Sequence, residues 1–458
     1  MQNERQQPNE SWNYWAYTLE GAFFITSSAF WEPGTIIPSF LSGLTTSQVL
    51  IGLGPALKSA GWMMPQLLVA GLLDQNSKLK PVVVGAAVLA RGAFVLLPLL
   101  VLSQLPPATK VWAFLLLYTL FCFAEGVTAV PWTEMLGRAI APRRRGRLLG
   151  NMQSVAGISA LAAGVVVRML LGSERLVYPA NYAALFAAGA VLLVGSGAMM
   201  YAVREPAVGE PSVAVAAAAA VAPAGDQPSI RRRPQLLASL RRVPYLVRNN
   251  PLFGNLLLAR VVAAAPSLAL PFYVLYGRDA LGLSPVWIGN SVTAQMLGAV
   301  VGGLIWARVS VRWGYQPLIR ASCIAGLLIP VWTLLSSVAA RSLVLASLAP
   351  YLFLMTYVTI GLYFTSVWVG FTNYLLEIVP SGERPMYIGI LSTVAGPLAF
   401  LAAPGGLLVA GAGYLFTFAL SAAGSVVALW LAWRLPPEAS ASAAKPAASA
   451  AAASSDLT

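Results

Sequence analysis

Apolar residues run through this chain in long blocks, and short polar stretches punctuate them. Twelve such blocks fall at about 14–41, 49–73, 80–103, 110–137, 147–171, 179–203, 251–276, 286–308, 317–339, 343–376, 385–411 and 413–434. Each is long enough to cross a hydrocarbon layer of about 30 Å as a helix. Water is absent from such a layer, so each block must satisfy its own backbone N–H and C=O groups by coiling. The pattern predicts an all-α, polytopic membrane protein with twelve transmembrane helices. Blocks longer than a simple crossing are absorbed by tilt.

The pattern also repeats. The stretch 133–157 recurs at 372–396: Thr133 matches Thr372, Arg145 matches Arg384, Gly150 matches Gly389, and Val155-Ala156-Gly157 matches Val394-Ala395-Gly396. The offset is constant and close to half the chain. A second repeat sets Ile51-Gly52 and Gly61 of span two against Ile288-Gly289 and Gly298 of span eight. Repeats of this length imply two pseudo-symmetric six-helix bundles, at 14–203 and 251–434. An N-terminal segment (1–13), a linker (204–250) and a tail (435–458) lie outside them. The linker begins with an Ala/Pro/Gly-rich stretch and ends in a basic, partly amphipathic one, 231–248, expected to lie on the membrane surface. The Ala/Ser-rich tail is expected to be disordered.

Composition agrees with the pattern. Hydrophobic residues make up 58% of the chain and charged residues 10%, where soluble domains carry about 25% charged residues. The net charge of +13 would suit nucleic acid, but its placement points elsewhere. Lys and Arg crowd the segments on one side: Lys78 and Lys80, Arg138 to Arg147, the linker, Arg308, Arg312, Arg320, Arg384 and Arg434. The opposite segments hold Lys110, Arg168, Arg175, Arg278 and Arg341. This bias predicts both termini in the cytoplasm of a multi-pass protein of the cell's inner membrane. No cleavable signal peptide is expected. Cys122 and Cys323 fall inside apolar blocks and read as small buried hydrophobes. With no His and no GxxxxGK[ST] stretch, neither a metal centre nor a cofactor or nucleotide site is expected. An integral-membrane transferase would need a cluster of acids, His or metal at one face, and the outer loops are too short to carry one. A transporter-like sensor would keep the fold but not the coupling charges.

Ionisable side chains within the hydrocarbon cost at least about 2.5–3.5 kcal/mol each, so the few present are informative. Glu32 in span one and Lys58 in span two sit at equal depth and are expected to pair. Arg91 in span three and Glu125 in span four form a second expected pair. Glu20 and Arg260 lie shallower in spans one and seven. Trp31-Glu32-Pro33-Gly34 should interrupt span one, and such breaks expose backbone polar groups to a cavity. Trp132, Tyr357, Tyr363, Phe364, Trp368 and Phe371 give spans four and ten aromatic character suited to lipophilic cations or sugar rings. Gly396-Pro397 and Pro404-Gly405-Gly406 predict a bend in span eleven.

Taken together, the six-linker-six arrangement and repeated turns resemble the major facilitator superfamily, over roughly residues 14 to 434. That family's turn after span two carries a Gly, an Asp and basic residues. Here Asp74 and Lys78 stand where the pattern wants them, and Ala70, Gln75 and Ser77 depart from it. In the second copy Arg312 and Gly314 survive and Val311 replaces the acid. The resemblance implies that Asp74 latches neighbouring helix ends, in a cytoplasmic gate with Lys78, Glu134, Arg138 and Arg312. It also implies that spans one, four, seven and ten line a central cavity, bordered by Glu20, Glu32, Glu125, Arg260, Trp31, Trp132 and Trp368. The function expected is secondary transport of a small solute by a monomer in the lipid bilayer, coupled to a proton or another ion. Efflux of amphipathic compounds is slightly preferred over sugar or metabolite uptake. The proline motif that the family's drug–proton antiporters carry in span five is missing.

Overall fold

The computed structural model describes residues 9–70, 78–205, 248, 250–379 and 384–437. Among them, nine helices are long and apolar enough to cross a membrane. Two further spans and a helical run counted once bring the architecture to twelve. Span one is Glu10–Ser28 followed by Ile36–Ser42, and span two is Gln48–Ala70. Spans three to six are Lys80–Leu102, Pro107–Ala139, Pro142–Leu171 and Ala180–Ala202. Span seven is Pro251–Val262 followed by Phe272–Asp279. Spans eight to ten are Val286–Trp313, Gln316–Ala340 and Ala349–Ile378. Spans eleven and twelve comprise Arg384–Leu398 and Ala402–Trp433; within the second, Gly413 at φ 83 bends the run back. A side chain would be strained there, and glycine is not. The face bearing Glu10 and Arg434, the one the charge bias predicts to be cytoplasmic, is called the inner face below, and the opposite one the outer face.

The break in span one has a clear cause. Pro33 lacks an N–H and pushes Glu32 out of the helical region, to φ −50 and ψ 118. The Glu32 carbonyl then accepts N–H bonds from Thr35, Ile36 and Ile37, restarting the helix. Span seven is broken at the equivalent depth, by a 3-10 turn at Ala265–Leu268 around Pro266. The bend expected in span eleven is a 3-10 turn at Ala399–Leu401.

The repeated glycines are contact glycines. A Cβ on Gly61 would lie 2.5 Å from Cys122, where span two crosses span four. One on Gly298 would lie 2.0 Å from the carbonyl oxygen of Val358, where span eight crosses span ten. Gly52 abuts Ala402 of span eleven, and Gly289 abuts Arg168 of span five. Spans two and eleven, and five and eight, are thus the seams joining the halves. Without a hydrophobic drive between helices in lipid, close approach at small residues supplies the packing.

At the outer face the halves also meet end to end. Phe272–Asp279 packs on Ile36–Ser42, and Arg278 donates to Ser42 Oγ at 2.7 Å. Among the described residues, no packing of that extent joins Glu10–Ser28 to Pro251–Val262 on the inner side.

Candidate functional site

Between the halves at mid-depth lies a cleft of about 570 Å³, counted to its open mouth. Its polar lining is Glu32, Ser59, Ser267, Gln295 and Tyr357; Leu270, Ile360 and Phe364 supply apolar wall. The broken helix of span one delivers Glu32 to it. Its Oε1 accepts from Gln295 Nε2 at 3.0 Å, across the two halves, and from Gly34 N at 3.3 Å. Tyr357 is buried at the cleft wall.

Lys58 does not pair with Glu32. Its ammonium sits over the Trp31 ring, 4.5 Å from the centroid, with Trp62 at 5.5 Å and Phe24 at 5.8 Å. Three π faces hold the cation without an ion-pair contact. Equal depth along two helices does not fix the direction a side chain takes around each helix. Gln295 takes the expected place of Lys58. By the constant offset that relates spans two and eight, Gln295 is the repeat counterpart of Lys58. That offset is the signal that would have found it.

Behind the cleft, in the first half, lies a buried polar chain. Arg91 and Glu125 form an ion pair between spans three and four. Arg91 Nη2 donates to Ser196 Oγ of span six at 3.1 Å. Ser196 Oγ donates to Glu20 Oε1 of span one at 3.1 Å, and Trp132 Nε1 donates to Glu20 Oε2 at 3.1 Å. Glu20, Arg91 and Glu125 are each about 5% exposed or less. Four spans therefore converge on two carboxylates and one guanidinium. Ser196, a lone hydroxyl in an apolar block, gave no sequence signal of this role.

Two aromatic expectations need correction. Trp31 is fully buried and lies outside the cleft lining. It packs edge-on to Phe121 at 5.0 Å and tilted against Phe94 at 5.9 Å, inside a cluster of rings from spans one, three and four. Trp368 is 68% exposed and also lies outside the lining; Phe364, one turn nearer mid-depth, reaches the cleft. Arg260 sits on the inner half of span seven over the Phe371 ring at 5.7 Å. Among the described residues no carboxylate pairs with it.

Asp74 lies outside the described residues, as does the basic linker stretch apart from Arg248. Lys78 is exposed. Glu134 accepts from Arg138 at 2.9 Å, and Arg138 approaches Glu205 at 3.9 Å. Glu205, which the sequence did not single out, accepts from the N–H groups of Leu79 and Lys80 at 2.9 and 3.1 Å. It thereby caps the N-terminus of span three from the end of span six, where a carboxylate favours the helix dipole. Arg312 is exposed at the end of span eight, its guanidinium over Trp313 at 5.1 Å.

The sequence profile of the Major Facilitator Superfamily matches residues 19–404. The chain belongs to this superfamily. Solved members share its fold at low identity. A D-xylose–proton symporter superposes with a TM-score of 0.65 at 15% identity, covering 93% of this chain and 98% of that one. A nucleoside transporter gives 0.67 at 13%, covering 92% and 99%. A bacterial homologue of the iron transporter ferroportin, in an inward-facing state, gives 0.62 at 11%, covering 94% and 99%. No curated protein matches the sequence significantly. This superfamily member is thus a multi-pass transporter, and its two halves present the cleft and the buried charges just described.

Proposed function

We propose that the protein is a proton-coupled secondary transporter of a small amphipathic solute, working by alternating access, with export the preferred direction. The observation that carries this is the chain Glu20–Ser196–Arg91–Glu125. Glu125 pairs with the buried Arg91 guanidinium, and Glu20 is linked to the same guanidinium through Ser196. An uncompensated charge there is costly, and taking up one proton removes it. Glu32, Gln295 and Tyr357 offer hydrogen-bonding groups to a solute with a donor, and Phe364 offers it a ring. Closure of the outer ends by Arg278 and Ser42, with the inner ends less joined, suits a state open to the inner side.

Sugar uptake is the second reading. It is favoured by the likeness to a D-xylose–proton symporter and by the hydroxyl and amide groups of the cleft.

Purified protein in liposomes enclosing a pH indicator separates these. A panel of sugars and lipophilic amines is added under an imposed pH gradient. A member of the panel should drive proton movement, and a protonophore should abolish its accumulation. Solute flux that ignores both the gradient and a Glu125→Gln change would remove the proton from the reading. The direction of proton movement on adding an amine or a sugar decides between export and uptake.

A further inference from the structure

The inner edge of spans nine and twelve carries a feature that transport does not use. Arg320, one turn into span nine, sets its guanidinium over the Trp433 ring of span twelve, 4.2 Å from the centroid. Its neighbour Arg434 lies over Trp430 at 3.6 Å. Trp430 and Trp433 are 52% and 61% exposed. The Nε of Arg320 is buried and has no hydrogen-bond partner. Among the described residues neither arginine has a carboxylate within ion-pair distance. Below them Ile324 and Leu328 of span nine are exposed on the same helix face, one and two turns from Arg320.

The end of span twelve is tied down. The Gln316 amide donates to the Leu435 carbonyl, and the Tyr374 hydroxyl donates to that of Pro436 at 2.8 Å. Arg434 is thereby held beside span nine.

The corresponding edge of the first half differs. There Lys80 lies over Tyr201 at 5.0 Å, which again sets a cation on a ring. Glu205, however, supplies a carboxylate to that helix end. In the second half the described residues supply none.

We propose that the inner edge of spans nine and twelve binds an anionic phospholipid, with Arg320 and Arg434 gripping the headgroup phosphate and the acyl chains lying along Ile324 and Leu328. A guanidinium stacked on an aromatic face keeps its N–H edge free, and that edge matches phosphate. Interfacial tryptophans and a positive-inside bias explain rings and cations at a membrane edge separately. They do not explain two guanidiniums fixed on neighbouring rings with no acid to answer them. The occupant is a lipid because exposed apolar surface continues from the cations toward mid-membrane, which a free anion would not use.

The test is native mass spectrometry of the delipidated full-length protein with equimolar dioleoylphosphatidylglycerol and dioleoylphosphatidylcholine. The wild type retains the glycerol lipid preferentially. Arg320→Gln and Arg434→Gln each reduce that retention about fivefold and together by about 25-fold, on the usual worth of a basic residue at an anionic surface. Arg341→Gln, at the outer end of span nine, leaves it unchanged. Lysine at both positions keeps the charge, loses the stacking and retains an intermediate amount of lipid. Equal retention of the two lipids by the wild type, or undiminished preference in the double glutamine variant, overturns the proposal. So does displacement of the lipid by inorganic phosphate at the same concentration, which would mark a free-anion site.

Discussion

The two halves descend from one pattern, and comparing matched positions shows how their chemistry has parted. Tyr118 in span four and Tyr357 in span ten are counterparts, and both are buried. Two turns further along, the match fails: Glu125 faces Arg91, while its counterpart Phe364 lines the cleft. Lys58 rests in a cage of rings, while its counterpart Gln295 bonds Glu32. At these matched positions the same scaffold thus holds charged side chains in one half and a ring and an amide in the other. The lesson is a division of labour. Glycine crossings fix where the helices touch, and they are shared between the halves. The residues between the crossings are free to specialise.

The sharpest way to break the comparison is to remove the buried ion pair, which among the described residues the first half alone has. Glu125→Gln leaves the Arg91 guanidinium buried without its carboxylate. Loss of one partner of a buried pair costs about 3–5 kcal/mol, read as a large fall in the thermal midpoint of the detergent-solubilised protein. Proton-driven flux in liposomes should fall at least about a hundredfold. The exchange Arg91→Glu with Glu125→Arg should recover part of the stability and little of the flux, because Ser196 and Glu20 then face a carboxylate. Equal stability of Glu125→Gln and wild type would mean that the pair is incidental and the halves are not functionally divided.

A smaller effect follows from the seam. Gln295→Leu removes the amide that reaches Glu32 from the other half. A hydrogen bond to a charged group is worth about 1.5–3 kcal/mol, so KM for the transported solute should rise by about ten- to a hundredfold with the maximal rate less affected. Gln295→Lys would make the second half copy the first. It should set a cation against Glu32 and abolish binding of a cationic solute while sparing a sugar. Retained binding of a lipophilic amine by that variant would sink the assignment of Glu32 to the solute.

Much of this was legible in the chain. The block 286–308 anticipated Val286–Trp313, and the boundary between the blocks 385–411 and 413–434 falls where Gly413 turns the run, because hydropathy acts locally. The break at Pro33 and the Arg91–Glu125 contact were legible for similar reasons: one is a backbone constraint, the other a scarce charge matched in depth. The break in span seven was missed because Pro266 and Pro271 lie in a stretch whose apolar run gave no other sign. Lys58 misled because an ammonium was assumed to seek a carboxylate, and three rings in reach satisfied it instead. Ser196 and Glu205 were invisible for a different reason. Each acts on spans far away in sequence, and nothing local marks a hydroxyl or carboxylate as a cap or bridge.

The smallest expected effect tests whether the halves also differ at their inner edges. Glu205 accepts two N–H groups at the start of span three, at 2.9 and 3.1 Å, and lies 3.9 Å from Arg138. Glu205→Gln keeps the size and an acceptor oxygen but removes the charge. A helix cap with its dipole contribution is worth about 1 kcal/mol, so the apparent unfolding free energy should fall by about that much. Glu205→Ala should cost slightly more, since the N–H groups then lose their acceptor altogether. Introducing a carboxylate at the matching edge of the second half, as Leu435→Glu, should not stabilise in the same way. Leu435 is 1% exposed, and a charge there is desolvated before it can reach Arg320 or Arg434. If Leu435→Glu instead raised stability as much as Glu205 supports it, the two edges would be equivalent. The difference between the halves would then end at mid-membrane.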